Sequence, residues 1–148
     1  MNKIFAVVCF LSTFCFGQQL QNTDIEKPVR DLFTGMKNAD SELVKSAFTE
    51  TAILQTITKE GVVKTDDIPG FISAVSKAAK GDLDERITIG SVLVDGNMAS
   101  VFTPYQFYYQ GKFSHCGANS FQLVKQNNSW KIQYIIDTRR KENCENKK

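Results

Sequence analysis

The sequence contains a single histidine and three prolines in 148 residues, and its charges nearly balance at a formal net charge of +2. Metal sites in proteins are built mainly from clustered histidine, cysteine and carboxylate side chains. With His115 alone and no such cluster, the sequence predicts no metal site and no cofactor. The motifs of serine hydrolases, phosphate-binding loops and dinucleotide-binding folds are also absent. The charge balance gives no reason to expect nucleic acid as a partner.

The first residues predict an export signal. A short basic start that contains Lys3 precedes residues 4–16, which are almost entirely apolar. Small residues, Cys15 and Gly17, stand at the third and first positions before a cut at Gln18, as in secretory signal peptides. The apolar stretch is shorter than the ~20 residues that a membrane span needs, so a retained anchor is the less favoured alternative. We therefore expect a secreted or periplasmic protein that has no membrane partner after cleavage.

Removal of residues 1–17 leaves 148 − 17 = 131 residues, which is the size of one domain. The predicted division is a signal peptide at 1–17, a linker at 18–23, a domain at 24–140 and a polar tail at 141–148. Cys116 and Cys144 remain in the exported chain. A disulfide and two free thiols are both compatible with the sequence, because sequence alone does not place their side chains together.

The first half of the domain has helical patterns. Thr23 and Glu26 form a capping box that predicts the start of a first helix. Asp40 predicts the start of a short second helix, and residues 65–67 predict the start of a third. The apolar stripe of the first helix contains Ile25, Val29, Leu32, Phe33 and Met36.

The second half has the two-residue period of β-strands. Residues 52–57 predict a strand with which residues 62–63 pair back. Strands at 86–94, 98–109, 112–125 and 130–138 follow, and the hairpin turns between them are predicted at Asp95-Gly96, Gln110-Gly111 and Asn127-Asn128. The fold class is therefore α+β, with three N-terminal helices packed on a long antiparallel sheet.

Unbroken strands with these turns decide which side chains face the helices. The outer face is then mainly polar, although Val101, Tyr105, Phe107 and Ile135 would make it apolar enough for a partner. Trp130 is expected to anchor the end of the core sheet. The inward face collects Ile87, Ile89, Leu93, Met98, Phe102, Tyr108, Phe113, Phe121, Leu123, Ile132, Tyr134 and Ile136.

Three segments carry a resemblance to a known family: residues 40–44 leading to Phe48, residues 94–99, and residues 129–132. They resemble the nuclear transport factor 2-like superfamily, and in particular its SnoaL-like and lumazine-binding-like branches, many of which are exported. The similarity extends over about residues 24–140. It implies that the sheet is strongly curved, with a cone-like shape and an apolar cavity that takes a small apolar or amphipathic molecule. It leaves the activity open, since this fold includes isomerases, dehydratases, cyclases and binding domains.

The predicted register places a set of polar and aromatic side chains in that cavity. His115 is the candidate catalytic acid or base, because its unperturbed pKa is near neutrality. The alternative for His115 is a polar residue at the rim. A bulge at Pro104 and Gly117 would instead turn Tyr105 and Cys116 inward. The expected ligand-binding residues are Gln106, Tyr108, Phe113, Asn119, Phe121, Tyr134 and Arg140.

Carboxylates are scarce on the predicted inward face. Only Glu85, near a strand start, is a candidate, and Asp137 is expected on the outer face. The favoured function is an exported domain that binds a small molecule. One alternative is a cofactor-independent cyclase, isomerase or dehydratase that uses His115 as acid or base. The other is an interaction module that forms a homodimer through the outer face of the sheet.

Overall fold

A computed structural model of the chain describes residues 13–144, with side chains from residue 23 onward. Most of the predicted signal peptide (residues 1–12) and the end of the predicted tail (residues 145–148) lie outside the described residues. In the part that is described, no helix is long and apolar enough to cross a membrane.

Between residues 13 and 144, three helices precede most of the sheet: α1 at Thr13–Asn38, α2 at Ser41–Ala47 and α3 at Ile68–Lys77. The predicted starts of α2 and α3 are confirmed, because Asp40 and Asp67 accept hydrogen bonds from backbone N–H groups of the first turns, each over 2.9 Å. The start predicted for α1 at Thr23 is wrong. The helix continues through the expected linker, whose residues are compatible with a helix, and Pro28 lies inside it.

Within the described residues, seven strands form one open mixed sheet in the order β2-β1-β7-β6-β5-β3, and β4 also pairs with β5. The predicted α+β class is confirmed. The sheet is not purely antiparallel, because β1 runs parallel to β7. The strand predicted at 86–94 is divided into two, β3 and β4, by residues 88–90. The strands are β1 Phe48–Ile57, β2 Val63–Asp66, β3 Leu83–Ile87, β4 Ser91–Asp95, β5 Met98–Tyr109, β6 Lys112–Gln126 and β7 Ser129–Thr138.

The core lies between α1 and the inner face of the sheet. The apolar stripe of α1 is buried as predicted, and the Phe33 ring meets the Phe121 ring edge-on with centroids 6.0 Å apart. Trp130 is only 8% exposed at the start of β7 and belongs to this core, as expected. Phe121 and Leu123 of β6 also face the core as predicted.

A bulge in β6 shifts the register between β5 and β6. Residues 98–107 of β5 therefore face the side opposite to the one predicted. Tyr108 pairs with Phe113 as predicted, but Ser114 is an extra residue, and His115 then pairs with Phe107. The predicted inward placement of Met98 and Phe102 is therefore wrong. Both are exposed, whereas the core-facing residues of β5 are Ala99, Val101, Thr103 and Tyr105.

The alternative bulge at Pro104 and Gly117 does not form, because Pro104 pairs with Ala118 and Tyr105 pairs with Gly117 in one continuous register. The need for glycine at position 117 has another cause. A Cβ atom there would collide with the carbonyl oxygen of Thr138.

A second bulge lies in β7. Leu123 pairs with Ile132, but Gln122 pairs with Tyr134, so Gln133 is the extra residue. Its side chain is held by β1, since it accepts a hydrogen bond from Thr49 Oγ1 at 2.8 Å and donates one to the Thr51 carbonyl at 3.0 Å. Beyond the bulge the inward and outward positions exchange. Ile135 and Asp137 are buried, and the predictions that Tyr134 and Ile136 face inward and Asp137 outward are wrong.

The outer face consequently differs from the prediction. The turn between β4 and β5 is at Gly96-Asn97, one residue later than expected, and Leu93 pairs with Ser100. Leu93 is 69% exposed, and the prediction that it is buried is wrong. The outer-face apolar group is Leu93, Met98 and Phe102, in place of the predicted Val101, Tyr105, Phe107 and Ile135. Whether this face forms a dimer stays a prediction.

Cys116 and Cys144 form a disulfide, with an S–S distance of 2.00 Å and Cα atoms 5.8 Å apart. This resolves the alternatives that the sequence left open. The bridge holds the end of the described chain against β6, where Arg140 and Cys116 also exchange two backbone hydrogen bonds of 2.8 and 2.9 Å.

Candidate functional site

A cavity of about 540 Å³ lies between α1, α3 and the inner face of the sheet. Its apolar walls come from the helices and from the sheet. Asp66 and Asp67, which precede α3, also line it. Its remaining polar lining residues are Glu85, His115, Asn119, Asp137 and Arg139. Among the apolar lining residues are Leu32, Phe33, Met36, Phe71, Phe107 and Ile135.

Glu85 of β3 is held by Asn119 of β6. Asn119 Nδ2 donates to Glu85 Oε1 at 2.9 Å and lies 3.2 Å from Thr103 Oγ1. Burial raises the pKa of Glu85 to about 7, and the nearby charge of Asp137 acts in the same direction, against the hydrogen bond from Asn119. Glu85 therefore changes charge near neutral pH, as an acid or base for work at that pH must.

Asp137 is the centre of a second group of contacts. Its Oδ2 accepts a hydrogen bond from Arg139 Nε at 2.9 Å and lies 3.1 Å from Tyr105 Oη, whose single O–H is shared with the Thr138 carbonyl oxygen at 2.9 Å. Arg139 Nη2 also donates to Thr56 Oγ1 of β1 at 2.9 Å. Burial lowers the pKa of Arg139, but its contact with Asp137 outweighs this and raises it overall. Burial also raises the pKa of Tyr105, so its hydroxyl stays a donor.

The other carboxylate oxygen of Asp137 is unsatisfied. Asp137 is 6% exposed, and no hydrogen-bond partner for its Oδ1 exists among the described residues. An unpaired buried acceptor costs about 1–3 kcal/mol, and more when it is charged. Asp137 is also one of the cavity-lining residues, so a carboxylate with incomplete hydrogen bonding belongs to the cavity wall.

His115 lies beside this group. Its ring is 5.7 Å from the Tyr105 ring and 5.1 Å from the Phe107 ring, measured between centroids. Ser114 Oγ lies 3.0 Å from His115 Nδ1 and can donate to it or accept from it, depending on the tautomer. Burial, followed by the positive charge of Arg139, lowers the pKa of His115, against the opposing effect of Asp137. The imidazole is therefore neutral at pH 7 and can accept or donate a hydrogen bond.

Three of the predicted site residues line the cavity: His115, Asn119 and Phe121. Their predicted orientation is confirmed, and their roles in binding or catalysis stay predictions. Cys116 is not among the lining residues, because its side chain forms the disulfide.

The predicted inward placement of the other five is wrong, because the two bulges reverse the faces of their strands or because the residues lie beyond the cavity. These five are Gln106, Tyr108, Phe113, Tyr134 and Arg140. Tyr108 donates to Gln106 and packs on Phe113, with ring centroids 5.8 Å apart. Tyr134 donates to Gln55 Oε1 at 2.8 Å, on the side away from the core. Arg140 pairs with Cys116 through its backbone.

The sequence prediction missed Arg139, placed Asp137 on the outer face, turned Tyr105 inward only in the alternative with a bulge, and gave Glu85 only as a candidate. The alternation of Ile135, Asp137 and Arg139 shows that these three share one face of β7. The sequence offered no sign of which face that was, because Gln133 fits an unbroken polar–apolar alternation. Within the described residues, no group of three or more histidine, cysteine or acidic side chains is arranged to hold a metal ion.

Comparison with known proteins identifies relatives of this architecture. The family model described as "Putative lumazine-binding" matches residues 21–134. An NTF2-like protein of unknown function from Shewanella baltica OS155 superposes with a TM-score of 0.66 at 16% identity, over 88% of this chain and 98% of that one. An NTF2-like protein of unknown function from Silicibacter pomeroyi DSS-3 superposes with a TM-score of 0.67 at 19% identity, over 83% and 98%. No curated protein matches the chain.

Proposed function

The chain belongs to the lumazine-binding family of the nuclear transport factor 2-like superfamily, and on that premise we propose that it is an exported domain that binds one small, largely apolar molecule in its cavity. The observation that carries the proposal is the combination of apolar walls with a few polar groups around a space of about 540 Å³. Ligand sites in proteins usually have volumes of ~300–1,000 Å³ and this type of lining.

The size and lining of the cavity suit a flat ring system. The aromatic rings of Phe33, Phe71 and Phe107 contribute to the walls, and Asn119 and His115 offer hydrogen bonds. The family description names lumazine, a fluorescent aromatic heterocycle of two fused rings with both donors and acceptors. Lumazine is therefore the first probe to test, although the natural ligand need share only its shape and polarity.

Export is supported by two separate features. The predicted signal peptide at residues 1–17 would direct the chain out of the cytoplasm. The disulfide between Cys116 and Cys144 fits an oxidising compartment, where such bonds persist. Sequencing of the exported protein from its N-terminus checks this part of the proposal, and the expected first residue is Gln18.

Binding is tested by titration of the protein with lumazine, followed by fluorescence, and by mass spectrometry of molecules that copurify with it. Ala74 lines the cavity from α3, so Ala74→Trp should obstruct it and weaken binding at least about tenfold. Ser76 lies on the same helix and does not line the cavity, so Ser76→Trp is the matched control. Equal binding by both variants, or no bound molecule in either assay, would contradict the proposal.

A second candidate function is proton transfer on the bound molecule. It is favoured by the pKa of Glu85, about 7, in the same cavity as His115. A group with this pKa can remove a proton from a ligand carbon and return it at another, which is the chemistry of an isomerase. In heavy water, an enzyme of this type would incorporate deuterium into the bound ligand, and Glu85→Gln would abolish the incorporation. A pure binding domain would leave the ligand mass unchanged.

A further inference from the structure

The charges around the cavity are mainly negative. Four carboxylates line it, those of Asp66, Asp67, Glu85 and Asp137. Among the described lining residues, Arg139 is the only one with a permanent positive charge, and the lowered pKa of His115 leaves its ring neutral at pH 7. At a pH at which Glu85 is ionised, a ligand in this cavity meets four negative charges and one positive charge.

The single guanidinium is already engaged. Arg139 donates to Asp137 Oδ2 and to Thr56 Oγ1, both over 2.9 Å, and the charge of Asp66 also acts on it. A ligand carboxylate that approached Arg139 would meet a cation whose charge Asp137 already balances, and it would be repelled by the other acids. Juxtaposed like charges in an interface cost several kcal/mol.

One oxygen of the Asp137 carboxylate, in contrast, lacks a donor. Asp137 Oδ2 accepts from Arg139 and shares the Tyr105 hydroxyl with the Thr138 carbonyl, whereas Oδ1 of the same carboxylate has no partner among the described residues. Oδ1 itself is shielded from solvent, but Asp137 is one of the cavity-lining residues and its side chain keeps an exposed fraction of 8%, so a ligand in the cavity meets a carboxylate whose hydrogen bonding is incomplete.

We infer that the cavity selects a ligand whose polar end is a hydrogen-bond donor, a protonated amine or an N–H group, which pairs with the Asp137 carboxylate, and that it rejects ligands with a carboxylate at this end. The inference rests on the proposed function, because it concerns the same cavity. It adds which polar group the ligand presents to Asp137, which neither the fold nor the family description determines. A hydrogen bond to a charged, buried partner is worth about 1.5–3 kcal/mol, which corresponds to roughly 10- to 100-fold in affinity.

Three probes of similar shape test the inference. They are 2-naphthylmethylamine, which is cationic, 2-naphthylmethanol, which is neutral, and 2-naphthoate, which is anionic. Their dissociation constants are measured by calorimetry at pH 8. The amine should bind at least about tenfold more tightly than the carboxylate, with the alcohol between them.

Asp137→Asn should reduce the preference for the amine to less than about threefold and leave binding of the alcohol nearly unchanged. Asp95→Asn is the matched control, because it removes the same charge from an exposed residue that does not line the cavity. The preference should persist in that variant. The order of the three probes in the unaltered protein is sufficient for the test if Asp137→Asn does not fold.

The possible outcomes separate the two proposals. Equal binding of the three probes, tighter binding of 2-naphthoate, or a preference that survives Asp137→Asn would overturn the inference and leave the cavity as a binding site. Failure of all three probes and of lumazine to bind would overturn the proposed function as well as the inference.

Discussion

The side-chain amide of Asn119 donates a hydrogen bond to the carboxylate of Glu85 over 2.9 Å, although β5 lies between the strands that carry the two residues. Asn119 also contacts Thr103 on that intervening strand, at 3.2 Å. The three side chains thus connect β3, β5 and β6 on the inner face of the sheet. A carboxyl group with a pKa raised to about 7 is held there, so folding and protonation of Glu85 are linked.

Glu85→Gln should change the pH dependence of stability. Since the folded-state pKa of Glu85 is about 7 and its ordinary value is 4.5, the folded protein binds this proton more tightly than the unfolded chain. The stabilisation is fully present below the ordinary value and is lost as the pH rises through 7. It amounts to at most about 3 kcal/mol. Glutamine keeps an oxygen for Asn119 but does not ionise, so the variant should exceed the unaltered protein in stability at pH 8 and match it near pH 4.

Urea unfolding of both proteins between pH 4 and 8 measures this difference. His115 contributes a slope of the opposite sign, because its pKa is lowered, but it is present in both proteins and cancels. Glu50 is exposed on β1, and Glu50→Gln controls for the loss of a carboxylate. A difference between Glu85→Gln and the unaltered protein that does not vary with pH would contradict the prediction.

The elements that local chemistry determines could be predicted from the sequence. Asp40 and Asp67 cap their helices, and residues 110–111 and 127–128 form turns with positive φ angles, between 50° and 74°. These positions depend on residues close in sequence. Their prediction therefore required no knowledge of the rest of the fold.

The site could be predicted only in part, because two single residues decide its orientation. Ser114 and Gln133 each add one residue to a strand, and each addition exchanges the inner and outer faces beyond it. Neither is a glycine or proline, and both are compatible with regular strands. Gln133 is accommodated by its contacts with Thr49 and Thr51, which are 84 and 82 positions away. Such a distant cause leaves no local pattern, and so Asp137 was expected on the wrong face.

His115→Ala should weaken ligand binding more than it weakens folding. The ring lines the cavity and is only half-buried, so its removal costs little packing, whereas a ligand loses a contact beside Asp137. We expect lumazine or 2-naphthylmethanol to bind about three- to tenfold more weakly, with a change in unfolding free energy below about 1 kcal/mol. Tyr134 faces away from the cavity, so Tyr134→Phe should bind normally. Weakened binding in Tyr134→Phe, or unchanged binding in His115→Ala, would refute the arrangement.

Trp130→Ala should destabilise the protein by about 3–5 kcal/mol, because it leaves a cavity in the core at the start of β7. Phe102 provides the comparison. It is 46% exposed on the outer face, whereas an unbroken register would have buried it. Phe102→Ala should therefore cost less than about 1 kcal/mol. Equal losses for the two variants, measured by urea unfolding, would indicate that the register without bulges is the correct one.

Replacement of both cysteines, Cys116→Ser with Cys144→Ser, should lower stability and loosen the end of β7 near the cavity. The disulfide joins residues 28 positions apart, and closure of such a loop contributes ~3–4 kcal/mol in the chain-entropy description. The bridge also holds Arg140 against β6, directly after Arg139, which donates to Asp137. Backbone amides of residues 138–140 should therefore exchange hydrogen faster in the double variant, while those of α1 accelerate only in proportion to the loss of global stability. Thiol titration of the exported protein under denaturing conditions supplies the independent check: no free thiol is expected without reductant and two are expected after reduction. Two reactive thiols before reduction would show that the bridge does not form, and an unchanged unfolding free energy in the double variant would show that it does not stabilise the fold.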